Sequence, residues 1–208
     1  MVDTSFRWYR DWTIVRTMIE KLGIAFEDLD VFITHNHPDH TGLIPEFLSR
    51  GAKVYMNPAE IKGRADLMHS YLCDKEARIT NLRTMGITED GTPEVYEAFM
   101  QYTDEAFENR MEAVDFDFLP IEPGAVMEYD EYSFEVVLLP GHTIGHCGLH
   151  DKKHKLLFCG DEIMSGIVPI VTTQQKDLGL LRMYIDTLDM MVKNYNNCHV
   201  LPAHYDIN

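Results

Sequence analysis

Thr34-His35-Asn36-His37-Pro38-Asp39-His40 follows directly on the apolar run Val31-Phe32-Ile33 and packs four potential metal ligands into six residues. In an extended segment the side chains at i and i+2 share a face, so His35 and His37 point the same way off the end of a strand and form one half-site. Pro38 cannot continue a sheet ladder and ends the extended run, which puts Asp39 and His40 in the turn opening the next segment, aimed at a neighbouring point. Imidazole and carboxylate suit zinc and related borderline metals, and four ligands divided between two points leave both short until distant residues complete them. A polar loop that happens to be rich in histidine is the simpler reading of this stretch. Three further His or Asp positions in small-residue loops, His142, Asp161 and His204, weigh against it.

The chain around this stretch suits one domain of moderate size: 208 residues, 45% of them apolar, are enough to bury a core. Its formal net charge of −16, from 34 acidic and 18 basic residues, makes long-range steering of a polyanion unfavourable, so nucleic acid is not an expected partner. Two bound divalent ions offset part of that charge locally, which leaves a small anionic substrate open. Cys73, Cys147, Cys159 and Cys198 are widely spaced without a C-x-x-C pair. That usage fits buried thiols in a reducing compartment better than a disulfide framework. With no signal-peptide pattern and no long uncharged apolar run, a soluble cytoplasmic protein without membrane attachment is expected.

Read in order, Met1 to Ser5 is the tail of a strand, and Trp8, Trp12, Val15, Met18, Ile19 and Leu22 recur at helical spacing up to the stop at Gly23. The strand Val31 to Ile33 leads into the histidine stretch, a helix carrying Leu43, Ile44, Phe47 and Leu48 ends at Gly51, and Lys53 to Met56 completes a β-loop-α-β unit. From about Pro58 to Val114 the pattern changes to charged, helix-compatible segments, read as a helical insertion. Its break is Gly86 through Pro93, where Thr92 caps the next helix with proline at the first position. After Asp115 come short strands at Phe116 to Leu119, Ala125 to Tyr129, Ser133 to Leu139, Cys147 to His150 and Leu156 to Cys159, separated by turn residues that predict antiparallel hairpins. Two of them end at Pro140-Gly141-His142-Thr143 and Gly160-Asp161. A last amphipathic helix carries Leu178, Leu181, Ile185, Leu188, Met191 and Val192 and precedes the strand Cys198 to Leu201 and Pro202-Ala203-His204.

In this order, and each after a strand, T-H-N-H-P-D-H, P-G-H-T-I-G-H, C-G-D and P-A-H resemble the motifs of the metallo-β-lactamase superfamily of metal-dependent hydrolases. The resemblance covers nearly the whole chain and implies an α/β fold, the αββα sandwich, with the metals at one edge of its two sheets. Carried over by motif, it implies two divalent metal ions, zinc first, with Mn2+ or Fe2+ as alternatives. His35, His37 and His142 hold one ion, Asp39, His40 and His204 the other, and Asp161 bridges them. Seven ligands for two ions leave room for a bridging water or hydroxide, and Asp39 is the candidate proton relay. Asp39-His40 together with Asp161 resembles the glyoxalase II, lactonase and phosphodiesterase side of the superfamily more than the true zinc β-lactamases. His37 stands where the flavodiiron branch has glutamate, and the basic arm of the tRNA-processing branch is not visible.

The function expected from these residues is dinuclear metal-dependent hydrolysis of a small ester, thioester or lactone-like molecule. The alternative is an iron-dependent oxidoreductase of the sulfur dioxygenase type, which uses one iron and fewer ligands. His146, four residues after His142, is a candidate hydrogen-bond support for a ligand, as is Asp3, for which a helix N-cap is the competing role. His69, His150, His154 and His199 are expected to be structural or solvated. Lys62, Arg64, Lys75, Arg78 and Arg83 make the first half of the insertion its most basic part, where a substrate carboxylate could be met and where the segment would lie over the metal edge. The abrupt ends suggest a truncated chain whose first sheet shows an exposed apolar edge and pairs with another copy, so a homo-oligomer is compatible with the sequence.

Overall fold

The computed structural model describes residues 1–61, 75–110, 116–171 and 179–204. Alternation along β1 (Asp30–Ile33) sorts the chain into layers, because successive side chains of a strand face opposite ways. Val31 and Ile33 turn outward and are buried with Ile19 of α1 (Tyr9–Leu22), with Ile44 and Phe47 of α3 (Ile44–Leu48), and with Val54 and Met56 of β2 (Lys53–Met56). Phe32 turns the other way, into a second cluster with Ile121, Met127, Val136, Cys147 and Leu149. That cluster lies between a three-stranded sheet and a five-stranded one. The first has the order β1-β2-β3, all parallel, with β3 at Leu119–Pro120. The second has the order β4 (Val126–Tyr129), β5 (Tyr132–Leu138), β6 (Cys147–Asp151), β7 (Leu156–Gly160), β8 (His199–Pro202). On its outer face Val137, Leu139, Leu157 and Cys159 bury against Met191 of α6 (Leu180–Asn194). Helix, sheet, sheet and helix are thus stacked as the αββα sandwich, each fully buried large apolar side chain contributing about 1.5–3 kcal/mol.

The outer edge of β1 is taken by the chain's first residues. Phe32 N–H donates to the Met1 carbonyl at 2.9 Å, Asp3 N–H donates to the Phe32 carbonyl at 2.8 Å, and Val2 forms a parallel bridge with Phe32. Val2 also packs against the cluster between the sheets, so the backbone groups of Phe32 are paired where an exposed edge was expected.

Both amphipathic helices are rotated from their sequence reading. In α1 the residues that reach the core are Trp12, Val15 and Ile19, while Leu22 is 72% exposed and Met18 is exposed as well. In α6 the buried residues are Leu180, Thr187 and Met191; Leu181 and Ile185 are exposed and Val192 is 70% exposed. Leu178 lies outside the described residues. The inward face of α6 carries two polar contacts: the Thr187 hydroxyl donates to the Pro140 carbonyl at 2.7 Å and the Tyr184 hydroxyl to the Glu162 carbonyl at 3.3 Å. Both lie on the 180-184-187-191 face, which is turned toward the sheet in place of the more apolar 181-185-188-192 face.

Residues Arg64–Asp115 form a second compact unit. It contains α4 (Lys75–Thr84) and α5 (Pro93–Arg110), and Leu82, Met100 and Arg78 are buried. Pro93 opens α5 as expected and Tyr96 N–H donates to the Thr92 carbonyl at 2.9 Å, but the Thr92 hydroxyl turns back into the preceding turn, accepting from Thr88 N–H at 2.9 Å and donating to the Thr88 carbonyl at 3.1 Å, where a side-chain cap on the following helix was expected. Of the basic residues read from this segment, Lys62 and Arg64 lie outside the described residues, as does His69, and Arg83 is exposed. No helix among the described residues is long and apolar enough to cross a membrane, and the described cysteines Cys147, Cys159 and Cys198 are free.

Candidate metal centre

The strand directions bring the candidate ligands to one edge. β5 and β7 are both antiparallel to β6, and β8 is parallel to β7, so β5, β7 and β8 run the same way and their C-terminal ends lie together. Those ends carry His142, Asp161 and His204. The first sheet joins them through Cys147 N–H, which donates to the Thr34 carbonyl at 2.9 Å just past the end of β1. His37 is the extended N-cap residue of α2 (Pro38–Thr41), whose first residue is the proline, and one helical turn then carries Asp39 and His40.

Seven side chains gather as two groups, His35 with His37 and His142, and Asp39 with His40, Asp161 and His204; within each group the ligand atoms lie within 4.8 Å of one another. In the first group His35 Nε2 is 2.9 Å from His37 Nδ1 and 3.2 Å from His142 Nε2, and His142 Nε2 is 3.0 Å from His37 Nδ1. The outward nitrogens fix the tautomers. His142 Nδ1–H donates to the Ile170 carbonyl at 2.7 Å. The Thr34 hydroxyl gives its proton to Asp3 Oδ2 at 2.9 Å, and its oxygen accepts from His35 Nδ1–H at 3.0 Å. The two Nε2 atoms therefore face each other as lone pairs, an arrangement a cation relieves. Tetrahedral zinc with nitrogen ligands at about 2.0–2.1 Å sets those nitrogens about 3.3 Å apart, so the spacing fits.

In the second group His40 Nδ1–H donates to Asp3 Oδ2 at 2.9 Å and leaves Nε2 facing inward, 3.3 Å from His204 Nε2 and 3.6 Å from Asp39 Oδ2. Asp161 lies between the groups. Its Oδ1 is 3.4 Å from both His40 Nε2 and His204 Nε2, while its Oδ2 is 3.6 Å from His142 Nε2 and 4.0 Å from His35 Nε2. Oδ1 is buried with no hydrogen-bond partner among the described residues, and an acceptor so placed suits a metal ion. Asp3 is thus tied to a ligand of each group, directly to His40 and through Thr34 to His35. It is not the cap of α1, which begins at Tyr9 after Trp8 with no side-chain capping bond.

The two groups differ in protonation. Burial drives His35 well below the usual imidazole range and His37 down to about 3, neighbouring imidazoles add to both shifts, and burial also lowers His142. Neutral imidazole is the form that coordinates metal. Around His40 burial opposes protonation, but the Asp3 and Asp161 carboxylates outweigh it and raise the imidazole well above its ordinary value. A hydrogen bond to Asp39 raises His204. Burial opposes ionisation of Asp39, yet the bond from His204 holds the carboxyl at about 2, so Asp39 is an ionised acceptor.

His146 Nε2 accepts from Asp161 N–H at 3.3 Å, and its fully buried ring lies 5.0 Å from that of His35, so it supports a candidate ligand from behind. His154 pairs with Asp151, and His150 packs on Tyr195 near Cys198, both apart from the two groups. Sequence reasoning missed two buried carboxylates. Glu162 follows Asp161 directly, and burial pushes it up to about 8. Glu60 accepts hydrogen bonds from both histidine-bearing loops. It sits where the sequence reads as the start of the helical insertion, and no local pattern separates it from the other acidic residues there.

Comparison with known proteins places this geometry. The family model described as "Metallo-beta-lactamase superfamily" matches residues 29–197, a span that holds every residue of the two groups except His204. A hydroxyacylglutathione hydrolase of Vibrio cholerae is 34% identical over 84 residues, 40% of this chain and 27% of that protein. A metallo-β-lactamase family protein from Thermus thermophilus, TTHA1429, superposes with a TM-score of 0.69 at 22% identity, covering 99% of this chain and 64% of that one. A β-lactamase domain protein from Burkholderia ambifaria gives a TM-score of 0.70 at 21% identity, covering 99% and 59%. The chain thus spans about a quarter of the hydrolase's length and under two thirds of either solved structure's.

Proposed function

This chain belongs to the metallo-β-lactamase superfamily, and on that footing we propose that it is a dinuclear metal-dependent hydrolase of a small ester, thioester or lactone-like substrate. One observation carries the reading: Asp161 turns one carboxylate oxygen to each of two converging donor groups. In this assignment His35, His37 and His142 would hold one ion and Asp39, His40 and His204 the other, with Asp161 shared between them. The nitrogen and oxygen donor set suits zinc, with manganese or iron as alternatives. Two such ions, when bound, lower the pKa of water, polarise a carbonyl oxygen and clamp attacking and leaving oxygens.

The chain's own residues prepare that chemistry. Thr34, Asp3 and the Ile170 carbonyl hold the tautomers of His35, His40 and His142 so that Nε2 faces inward. Asp39, ionised and partly exposed beside His204, is placed to accept a proton from an attacking water and return it to the leaving group. The short match to a hydroxyacylglutathione hydrolase supports ester or thioester cleavage as the class. Four donors in the second group weigh against a mononuclear iron oxygenase, which needs fewer. The net charge supports a small-molecule substrate over nucleic acid, and the free cysteines support a cytoplasmic location.

Metal analysis and a screen of esters, thioesters, lactones and phosphodiesters on metal-reconstituted protein test the reading together. Two ions per chain with turnover in one ester-like class is the expected result. One iron with oxygen uptake, or two ions with no hydrolysis in any class, would overturn it.

A further inference from the structure

We propose that Glu60 is a positioning residue that locks the two loops carrying the first donor group into register and so sets the affinity of that group alone. The Glu60 carboxylate is buried, and its hydrogen bonds go to both loops. Oε2 accepts from Asn36 N–H at 2.8 Å, between His35 and His37. Oε1 accepts from the Thr143 hydroxyl at 2.7 Å, next to His142, and from Gly145 N–H at 2.7 Å. One side chain thus spans the loop after β1 and the loop after β5, which belong to different sheets.

The turn that carries it is built for this contact. Asn57 Nδ2 donates to the Gly145 carbonyl at 2.9 Å and Asn57 Oδ1 accepts from Ala59 N–H at 3.1 Å, so the Gly145 residue is held through both its carbonyl and its N–H. A Cβ at Gly145 would sit 2.8 Å from both Glu60 N and Glu60 Oε1, so only glycine admits the approach. All three histidines of the first group lie on the clamped loops. Asp39 and His40 lie beyond Pro38 on α2, and Asp161 and His204 follow β7 and β8; none of these four hydrogen-bonds Glu60. Asp3, by contrast, reaches His35 as well as His40, so of these two buried carboxylates Glu60 is the one whose bonds go to a single group.

A carboxylate is required because both backbone partners are N–H donors. In Glu60→Gln the amide places its NH2 against one of them in either orientation, severing one loop from the other while volume is kept. The inference rests on the dinuclear reading for its metal count, and its test reads binding, not turnover. Wild-type protein is stripped and titrated with Zn2+ against a chelator; failure to bind two ions would count against the dinuclear reading and not against the clamp. Glu60→Gln is then placed in a His204→Ala background, where the first group carries binding, and in a His142→Ala background, where the second does. Affinity should fall about 10-fold in the former, the low end of the scale for losing a ligand's own outer hydrogen-bond partner, because Glu60 holds residues adjoining the ligands, and change by less than about twofold in the latter. Equal losses in both backgrounds, or no loss in either, would overturn the proposal. If far-UV circular dichroism shows that Glu60→Gln does not fold, Thr143→Val in the same two backgrounds decides by the same criterion, with a drop of about tenfold expected in the first only.

Discussion

Asp3→Asn isolates the electrostatic role of one buried carboxylate. Asp3 has a left-handed backbone, φ 54°, which asparagine adopts readily and alanine does not, so the substitution leaves the chain path unstrained. Oδ1 accepts from Thr34 N–H at 2.8 Å, and an asparagine oxygen keeps that bond. Oδ2 accepts from the Thr34 hydroxyl and from His40 Nδ1–H, each at 2.9 Å, and there asparagine presents an NH2. The hydroxyl can rotate to accept it. In the neutral form that binds metal, the imidazole can accept only by carrying its one proton on Nε2, the nitrogen that faces His204 and Asp161, which closes that nitrogen to a metal. Affinity of the second group should fall about 10–100-fold. The metal-free protein should lose about 1.5–3 kcal/mol, the worth of one hydrogen bond to a charged group. Chelator-competition titration in the His142→Ala background reads the first quantity and urea unfolding the second. Wild-type affinity in Asp3→Asn would refute the claim that Asp3 sets the His40 tautomer.

Gly160→Ala adds a Cβ 2.6 Å from His146 Nε2 and 2.8 Å from Thr34 Oγ1 at a residue with φ +53°; a left-handed alanine costs roughly 1–2 kcal/mol before any displacement, so both melting temperature and bound metal should fall, and unchanged metal content would show that these two supports tolerate movement. Phe32→Ala empties the space between the sheets, where Phe32 is 1% exposed; a loss of about 3–5 kcal/mol in urea unfolding is expected, and one below about 1 kcal/mol would mean that the sheets do not depend on that ring. Asp151→Asn tests acid stability: burial opposes ionisation of Asp151, but bonds from the His154 ring, from His154 N–H and from Ser133 N–H outweigh it and hold the carboxyl at about 2. Its folded pKa lies below the unfolded value, so the stabilisation is present above about pH 4 and is lost as pH falls toward 2; the variant should unfold with a flatter acid limb, and an unchanged slope would count against the pair.

What the sequence settled by itself is local. Strand period and proline geometry place His35 and His37 on one face and Asp39 and His40 on the next turn, because i and i+2 alternation and the missing proline N–H are properties of the chain wherever it folds. Turn chemistry likewise put the start of α5 at Pro93, and motif order singled out His142, Asp161 and His204, which the fold brings together with the histidine stretch. The tertiary structure decided what depends on which distant groups meet. The helix stripes were misjudged at Leu22, at the end of α1, and at Leu181 and Val192 of α6, because periodicity marks an amphipathic helix but does not choose between adjacent faces; in α6 the face turned inward is the one on which Thr187 bonds to the Pro140 carbonyl. Asp3 was legible only as one of two roles, since its partners stand 31 and 37 residues away. Glu60 was not legible at all. A buried carboxylate is stable only where donors converge, and its donors, Asn36, Thr143 and Gly145, come from two loops of two sheets that meet only in the folded chain.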